Sequence, residues 1–364
     1  MENKRQRRTD TSSFESQVAH TRGSPIEFQR KDHMTVNDGG PREKWRSLKR
    51  QPRNAIKWGQ LKLLCAEMEF LTNYWDPIVH PKPIFVYVGA ALGTHIAVLA
   101  DLFSNVTFHL YDKQRFHECI CTKEGESTKE NVQIFQRYFN DEDVARYSKT
   151  ESVFFSSDIR SLLFCGEHDM ELTIEDVNKR NEELLWDDML LQQTWVQAIK
   201  PVRALLKFRM PYCYQFVLAG GLTRHYLDGV LYLQPWTSQS SSETRLVPNQ
   251  DYGLREWDYP AVEEMLFHHN THLRESQVFL NPLDLSSTAV APELGITQDW
   301  DSTCTVIISM AYLRFIGVDP TPVKVAALLN TMILGANNGR TSLVSIRNGV
   351  NAQTDKDENP DSND

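Results

Sequence analysis

Two lysines and two carboxylates stand where polar side chains need a reason. Lys62 sits on an otherwise apolar helical run, and Asp158 closes the strand SVFFSSD. Lys207 interrupts the apolar strand RALLKFRM, and Glu243 opens the strand ETRLV. A lysine can take a proton from a weakly acidic hydroxyl if burial and a neighbouring cation loosen its hold on its own proton. Two lysines with two organising carboxylates at one sheet edge would suit the activation of a hydroxyl as nucleophile. Taken singly, each residue has a plainer reading. Lys62 can lie on the polar face of its helix, and Asp158 can cap the next segment. Lys207 can point to solvent, and Glu243 can be a loop-edge carboxylate.

A second constellation lies upstream. VYVGAALGTH places Gly89 and Gly93 four residues apart, after one strand and before a helix. A glycine at the first position lets backbone approach a ligand, and one at the second lets the helix pack close to the strand. Asp112 ends the next strand, where an acid can accept hydrogen bonds from both hydroxyls of a ribose. The turn lacks one glycine of the dinucleotide fingerprint G-x-G-x-x-G. It therefore favours S-adenosylmethionine, a nucleoside without phosphate, over a nicotinamide dinucleotide. The alternative is a plain strand–turn–helix with a solvated aspartate.

The elements that must position these residues follow from pattern. GQLKLLCAEMEFL (59–71) has helical spacing, and IFVYV (84–88) is β-branched and aromatic. THIAVLADLF (94–103) reads as a helix and VTFHLYD (106–112) as a strand. SVFFSSD (152–158) and RALLKFRMP (203–211) are further strands, with an amphipathic helix over 182–199 between them. GVLYLQPW (229–236) and ETRLV (243–247) form a strand pair around TSQSSS, and AVEEMLF (261–267) is a short helix. CTVIISMAYLRF (304–315) and PVKVAALLNTMI (322–333) are apolar helices. Alternating strands and helices imply an α/β fold: a mostly parallel central sheet flanked by helices, Rossmann-like, as in S-adenosylmethionine-dependent methyltransferases.

The chain has 364 residues, 41% hydrophobic and 24% charged, with a net charge of −9. That overall charge argues against nucleic-acid binding, but its distribution does not. Residues 1–60 hold 14 Lys or Arg against 7 Asp or Glu, and 351–364 hold 5 acids against 1 base. RNA responds to such local patches. Residues 1–55 are expected to be a basic, disordered extension, 56–340 the catalytic domain, and 341–364 an acidic disordered tail. Part of 42–57, with Arg42, Lys44, Arg46, Lys49, Arg50, Arg53 and Lys57, is expected to touch RNA phosphates or to be a solvated tail. No apolar run reaches the roughly 18 residues of a membrane span. No secretory signal is expected. The six cysteines show no Cys-x-x-Cys spacing, so no metal is expected, and free thiols in a reducing compartment are.

Five blocks in order, GQLKLL, VYVGAALGTHI, SSDIRS, LLKFRMPY and LQPWTSQSSSETRL, resemble the poxvirus cap-specific mRNA 2′-O-methyltransferases, which double as the processivity subunit of the viral poly(A) polymerase. The resemblance runs from about Trp58 to Val318 and leaves both tails uncovered. It implies methyl transfer from S-adenosylmethionine to the ribose 2′-hydroxyl of the first transcribed nucleotide of capped mRNA. It implies a Lys62–Asp158–Lys207–Glu243 tetrad with Lys207 as base. It places Gln60, Tyr87, Gly89, Gly93, Asp112 and Asp158 against the cofactor. It places Tyr212 where an aromatic ring stacks on the cap base, and Glu263 where a carboxylate reads the guanine edge. The implied partners are the capped mRNA 5′ end and the catalytic subunit of a viral poly(A) polymerase, in the host cytoplasm. The chain departs from the family pattern at Leu92 (proline expected), Gln114 (arginine expected) and Tyr214 (acid expected). The second stacking aromatic has no clear match, Phe28 being the nearest guess. A non-catalytic RNA-binding subunit on the same fold is the alternative function.

Overall fold

The computed structural model of the protein describes residues 26–27, 34–36, 39–46, 58–163, 173–211, 222–238, 241–274, 279–280, 296 and 298–336. Tyr212, Tyr214 and Phe28, the cations of 47–57 and the acidic tail lie outside the described residues. In chain order the first elements are β1 (Ile26–Glu27), α1 (Trp58–Tyr74), β2 (Ile84–Val88), α2 (Thr94–Leu102), β3 (Thr107–Tyr111), β4 (Val132–Phe135) and α3 (Asp141–Tyr147). There follow β5 (Val153–Ser157), α4 (Ile174–Ile199), β6 (Arg203–Phe208), β7 (Thr223–Leu227), β8 (Gly229–Tyr232), β9 (Thr244–Pro248) and β10 (Leu254–Asp258). The last are α5 (Tyr259–His268), a π-helical turn (His269–Leu273), β11 (Phe279–Leu280), α6 (Trp300–Phe315) and α7 (Pro322–Ala336).

The central sheet has the strand order β4-β3-β2-β5-β6-β9-β8. The first five strands are parallel, and β9 is antiparallel to both β6 and β8. β2, β3 and β5 are buried along nearly their whole length, which is why they read as continuous apolar runs. The chain steps from β2 outward to β3 and, after β4, returns to β5 on the other side of β2. Right-handed crossovers in opposite directions put helices on both faces. α1, α2, α6 and α7 pack together, and α3 packs with α4. α2 is buried from Thr94 to Ala100, so its apolar sequence is core. Among the described residues no helix is long and apolar enough to cross a membrane.

Several boundaries differ from the sequence reading. α4 begins at Ile174, not 182, because Thr173 and Asp176 form a reciprocal capping box ahead of the amphipathic stretch. β4 and α3 carry mixed polar sequences, VQIF and DEDVARY, and their pattern is too weak to read. The pairing of β7 with β10 joins strands far apart in sequence. Residues 34–36 and 39–46 are not the loose segment expected of the N-terminal extension. Met34 is fully buried, Thr35 pairs with Tyr232 at the free edge of β8, and Glu43 N–H donates to Glu264 O on α5.

The sheet changes direction between β2 and β5, and their exits pass within contact distance. A Cβ on Gly89 would lie 2.9 Å from the Asp158 carbonyl carbon, and Gly89 has φ +82. Gly89→Ala therefore combines a clash with left-handed strain and is expected to cost about 1–3 kcal/mol, read as a lower urea midpoint. An unchanged midpoint would show that the two exits are free to separate.

Candidate active site

The four polar residues converge because their elements are neighbours. Asp158 leaves β5, Lys207 lies on β6, and Glu243 enters β9, the next strand of the sheet. Lys62 comes from the first turns of α1. Lys207 Nζ stands 3.1 Å from Asp158 Oδ1 and 3.5 Å from Glu243 Oε2. Lys62 Nζ is 2.9 Å from Glu243 Oε1. All four side chains are mostly buried.

Two arginines complete the cluster, and sequence reasoning passed over both. Arg245 Nη2 donates to Asp158 Oδ1 at 2.6 Å, and Arg160 Nη2 donates to Glu243 Oε2 at 2.7 Å. A signal was present in their place beside the tetrad: Arg160 follows Asp158 by two residues in SSDIRS, and Arg245 follows Glu243 by two in ETRL. Lys207 and Arg245 are also direct cross-strand partners, so two cations sit side by side with Asp158 between them.

Four cations face two carboxylates, and the titrations reflect this. Burial opposes ionisation of Asp158, but the charges of Arg245 and Lys207 prevail and hold it down to about 2. Burial also opposes ionisation of Glu243, yet Lys62, Lys207, Arg245 and Arg160 hold it well below the usual range. Both carboxylates are therefore ionised at neutral pH.

A cleft of about 380 Å³ opens beside this cluster at the β2–β5 switch point. Such crevices at carboxyl ends of parallel strands are where open α/β sheets bind ligands. Gly89, Asp112, Asp158, Arg160 and Lys207 line it, with Tyr138 and Trp195 as aromatic wall. The Asp112 carboxylate accepts from Ala91 N–H at 3.0 Å and Gln114 N–H at 2.8 Å. It thus orders the glycine turn and the loop after β3, and each oxygen keeps a second lone pair.

Three further expected cofactor contacts, Gln60, Tyr87 and Gly93, are not among the residues lining this cleft. Gln60 Oε1 accepts from Thr94 Oγ1 at 2.7 Å and stands 2.9 Å from His95 Nδ1, tying α1 to the start of α2. The Tyr87 ring is buried against His95. Gly93 has φ +78 just ahead of α2 and closes its first turn.

Of the residues placed at the cap, Glu263 is buried on α5. Phe267, one turn further on the same helix, meets the Trp45 ring at 6.4 Å. Trp45 arrives there because residues 42–46 are strapped to α5: Arg42 pairs with Glu264 at 2.8 Å, and Glu43 with His272 at 2.5 Å. Trp45 is an aromatic near the N-terminus that sequence reading passed over. Nothing local marks it, since the contact spans more than 200 positions.

The family model described as poly A polymerase regulatory subunit matches residues 32–282. The chain belongs to that family. It is 32% identical over 199 residues to the cap-specific mRNA (nucleoside-2′-O-)-methyltransferase of Fowlpox virus (strain NVSL), over 52% of this chain and 57% of the relative. It is 29% identical over 209 residues to the protein of the same name from Myxoma virus (strain Lausanne), covering 55% of each. The matched region thus spans somewhat over half the length of these relatives.

The electrostatics of Asp158 carry a sign that can be tested. Its folded value lies below its ordinary 3.8. The stabilisation it contributes is therefore complete above the ordinary carboxylate range and is lost as pH falls through about 2. Carbon-13 NMR of the Asp158 carboxyl should titrate near that value. In Arg245→Met the midpoint should move up, because burial remains and the largest opposing charge is gone. An unmoved midpoint would mean that Arg245 does not hold this carboxylate.

Proposed function

We propose that the protein methylates the ribose 2′-hydroxyl of the first transcribed nucleotide of capped mRNA, with S-adenosylmethionine as donor. The observation that carries this reading is Lys207, fixed between Asp158 and Glu243 on the wall of the cleft. The residues present fit the donor. Gly89 and Asp112 line the cleft, and Asp112 offers lone pairs to two ribose hydroxyls. Bound there, S-adenosylmethionine supplies an electrophilic methyl group on a sulfonium.

The chain's own residues do the rest. With all groups ionised the cluster of Lys62, Asp158, Arg160, Lys207, Glu243 and Arg245 carries a net charge of +2, from four cations and two carboxylates. Arginines do not give up a proton in proteins, so the lysines are the cations that can become neutral. Lys207 lines the cleft; it takes the hydroxyl proton at Nζ as the oxygen attacks. Asp158 and Glu243 orient that amine. Lys62, Arg160 and Arg245 in turn hold the two carboxylates, so neither is left to bind Lys207 alone.

The cap is read on α5. Tyr212 and Trp45 supply the aromatic rings, and Glu263 the carboxylate, for a methylated, cationic guanine. The family description supports a second role beside methylation, in which this chain grips RNA for the catalytic subunit of a poly(A) polymerase in the host cytoplasm.

The direct test is incubation with capped RNA and labelled S-adenosylmethionine, followed by nuclease digestion. Label is expected on the 2′-oxygen of the first nucleotide; label at another atom, or none, would contradict the reading. Two substitutions divide the site. Asp112→Ala should weaken S-adenosylmethionine binding by about 10- to 150-fold, the loss of a charge-assisted hydrogen bond worth about 1.5–3 kcal/mol. Calorimetry with unchanged affinity would remove Asp112 from the donor site. Trp45→Ala should weaken capped RNA more than uncapped RNA, by the roughly 0.5–2 kcal/mol of a cation over an aromatic face. Equal weakening would make Trp45 a packing residue of the strap.

A further inference from the structure

One face of α4 carries polar residues that none of the roles above uses. Asn181, Asp188 and Gln192 recur at spacings of seven and four, so they share that face. Each grips something that leads to the cluster. The Asn181 side chain clamps Leu163, accepting from its N–H at 2.7 Å and donating to its carbonyl at 3.1 Å. Gln192 Nε2 donates to the Lys207 carbonyl at 3.2 Å. Asp188 accepts twice from one residue: Ser161 N–H at 2.6 Å and Ser161 Oγ at 2.9 Å.

We propose that Asp188 is a positioning residue for the methyl-transfer centre, acting through Ser161 on Arg160 and hence on Glu243. The inference rests on the function proposed above. Its geometry is specific. The chain leaving β5 runs Asp158, Ile159, Arg160, Ser161, and its start is pinned by Asp158 N–H to Val88 O at 2.9 Å. The far end has no strand to hold it. The two hydrogen bonds from Ser161 to Asp188 fix that end, and Arg160, caught between the two anchors, reaches Glu243 at 2.7 Å. Asp188 itself lines the cleft but is nine-tenths buried. A carboxylate is costly there without partners, and burial pushes its pKa up against the two Ser161 hydrogen bonds that pull it down. Asn181, clamping Leu163, continues the same support along the helix.

The test uses the full chain with Asp188→Ala, Asp188→Asn and Ser161→Ala. Under single-turnover conditions, Asp188→Ala should slow methyl transfer by about 10- to 100-fold, the scale on which small misplacement acts. The KM for S-adenosylmethionine should change far less. Asp188→Asn keeps an acceptor for Ser161 N–H and, since the serine hydroxyl can rotate to accept, should recover most of the rate. Ser161→Ala removes only the hydroxyl bond and should fall between them; it serves if Asp188→Ala does not fold. Combined with Arg160→Ala, Asp188→Ala should add almost nothing, because both act along one path. Additive losses, or a KM effect without a rate effect, would overturn the proposal. Hydrogen exchange gives a readout independent of chemistry: the amide of Ser161 should exchange faster in Asp188→Ala while β6 and α1 stay protected. If the wild-type protein transfers no methyl group, the proposed function fails. The exchange result still decides about Asp188, since an unchanged Ser161 amide would show that it holds nothing.

Discussion

The site depends on one cross-strand pair that ought to repel. Lys207 on β6 and Arg245 on β9 are direct partners in an antiparallel ladder, and like charges so placed are unfavourable. Asp158 resolves this by pairing with both, at 3.1 Å from Lys207 Nζ and 2.6 Å from Arg245 Nη2. It can do so because β5 ends beside them. Removing one member of a buried ion cluster costs several kcal/mol, roughly 3–5 in measured cases, because the others are left uncompensated. The cluster therefore forms as a unit. Its second carboxylate, Glu243, carries Lys62 on one oxygen and Arg160 on the other. Lys207 is thereby surrounded by charge without being locked to a single partner.

Fold and site are linked at the β2–β5 switch point. Parallel strands deliver Gly89 and Asp158 to one edge, and the glycine lets the two exits close on each other. The same edge receives Asp112 from β3 and Lys207 from β6. The cleft and Lys207 thus share one wall. α4 packs against β6 and grips the chain leaving β5 at Ser161 and Leu163, so the floor of the cleft is set by a helix as well as by strands.

The sequence carried the frame well where burial is one-sided or complete. β2, β3, β5 and β6 are apolar runs broken by one informative residue, Lys207, and their ends carry Asp112 and Asp158. It carried the frame poorly where tertiary contacts decide. The pair β7–β10, the short β4, and the strap of residues 42–46 have no local periodicity that separates them from loop. In the site, family-matched motifs named the tetrad but not Arg160 or Arg245, although both lie inside the motifs, because attention went to residue types with a proton to exchange. Gln60 and Tyr87 make contacts to Thr94 and His95 at the start of α2 that no sequence spacing reports. Trp45 meets Phe267 of α5 across more than 200 positions of sequence, a contact that no spacing rule reports.

The account stands on Lys207 as the acceptor of the hydroxyl proton. The most direct measurement is single-turnover methylation of capped RNA by Lys207→Arg, with donor and RNA binding checked separately. A guanidinium keeps the charge and the contacts to Asp158 and Glu243 but stays protonated. The account predicts normal binding with methyl transfer lost. Transfer at the wild-type rate would show that no proton passes through this residue.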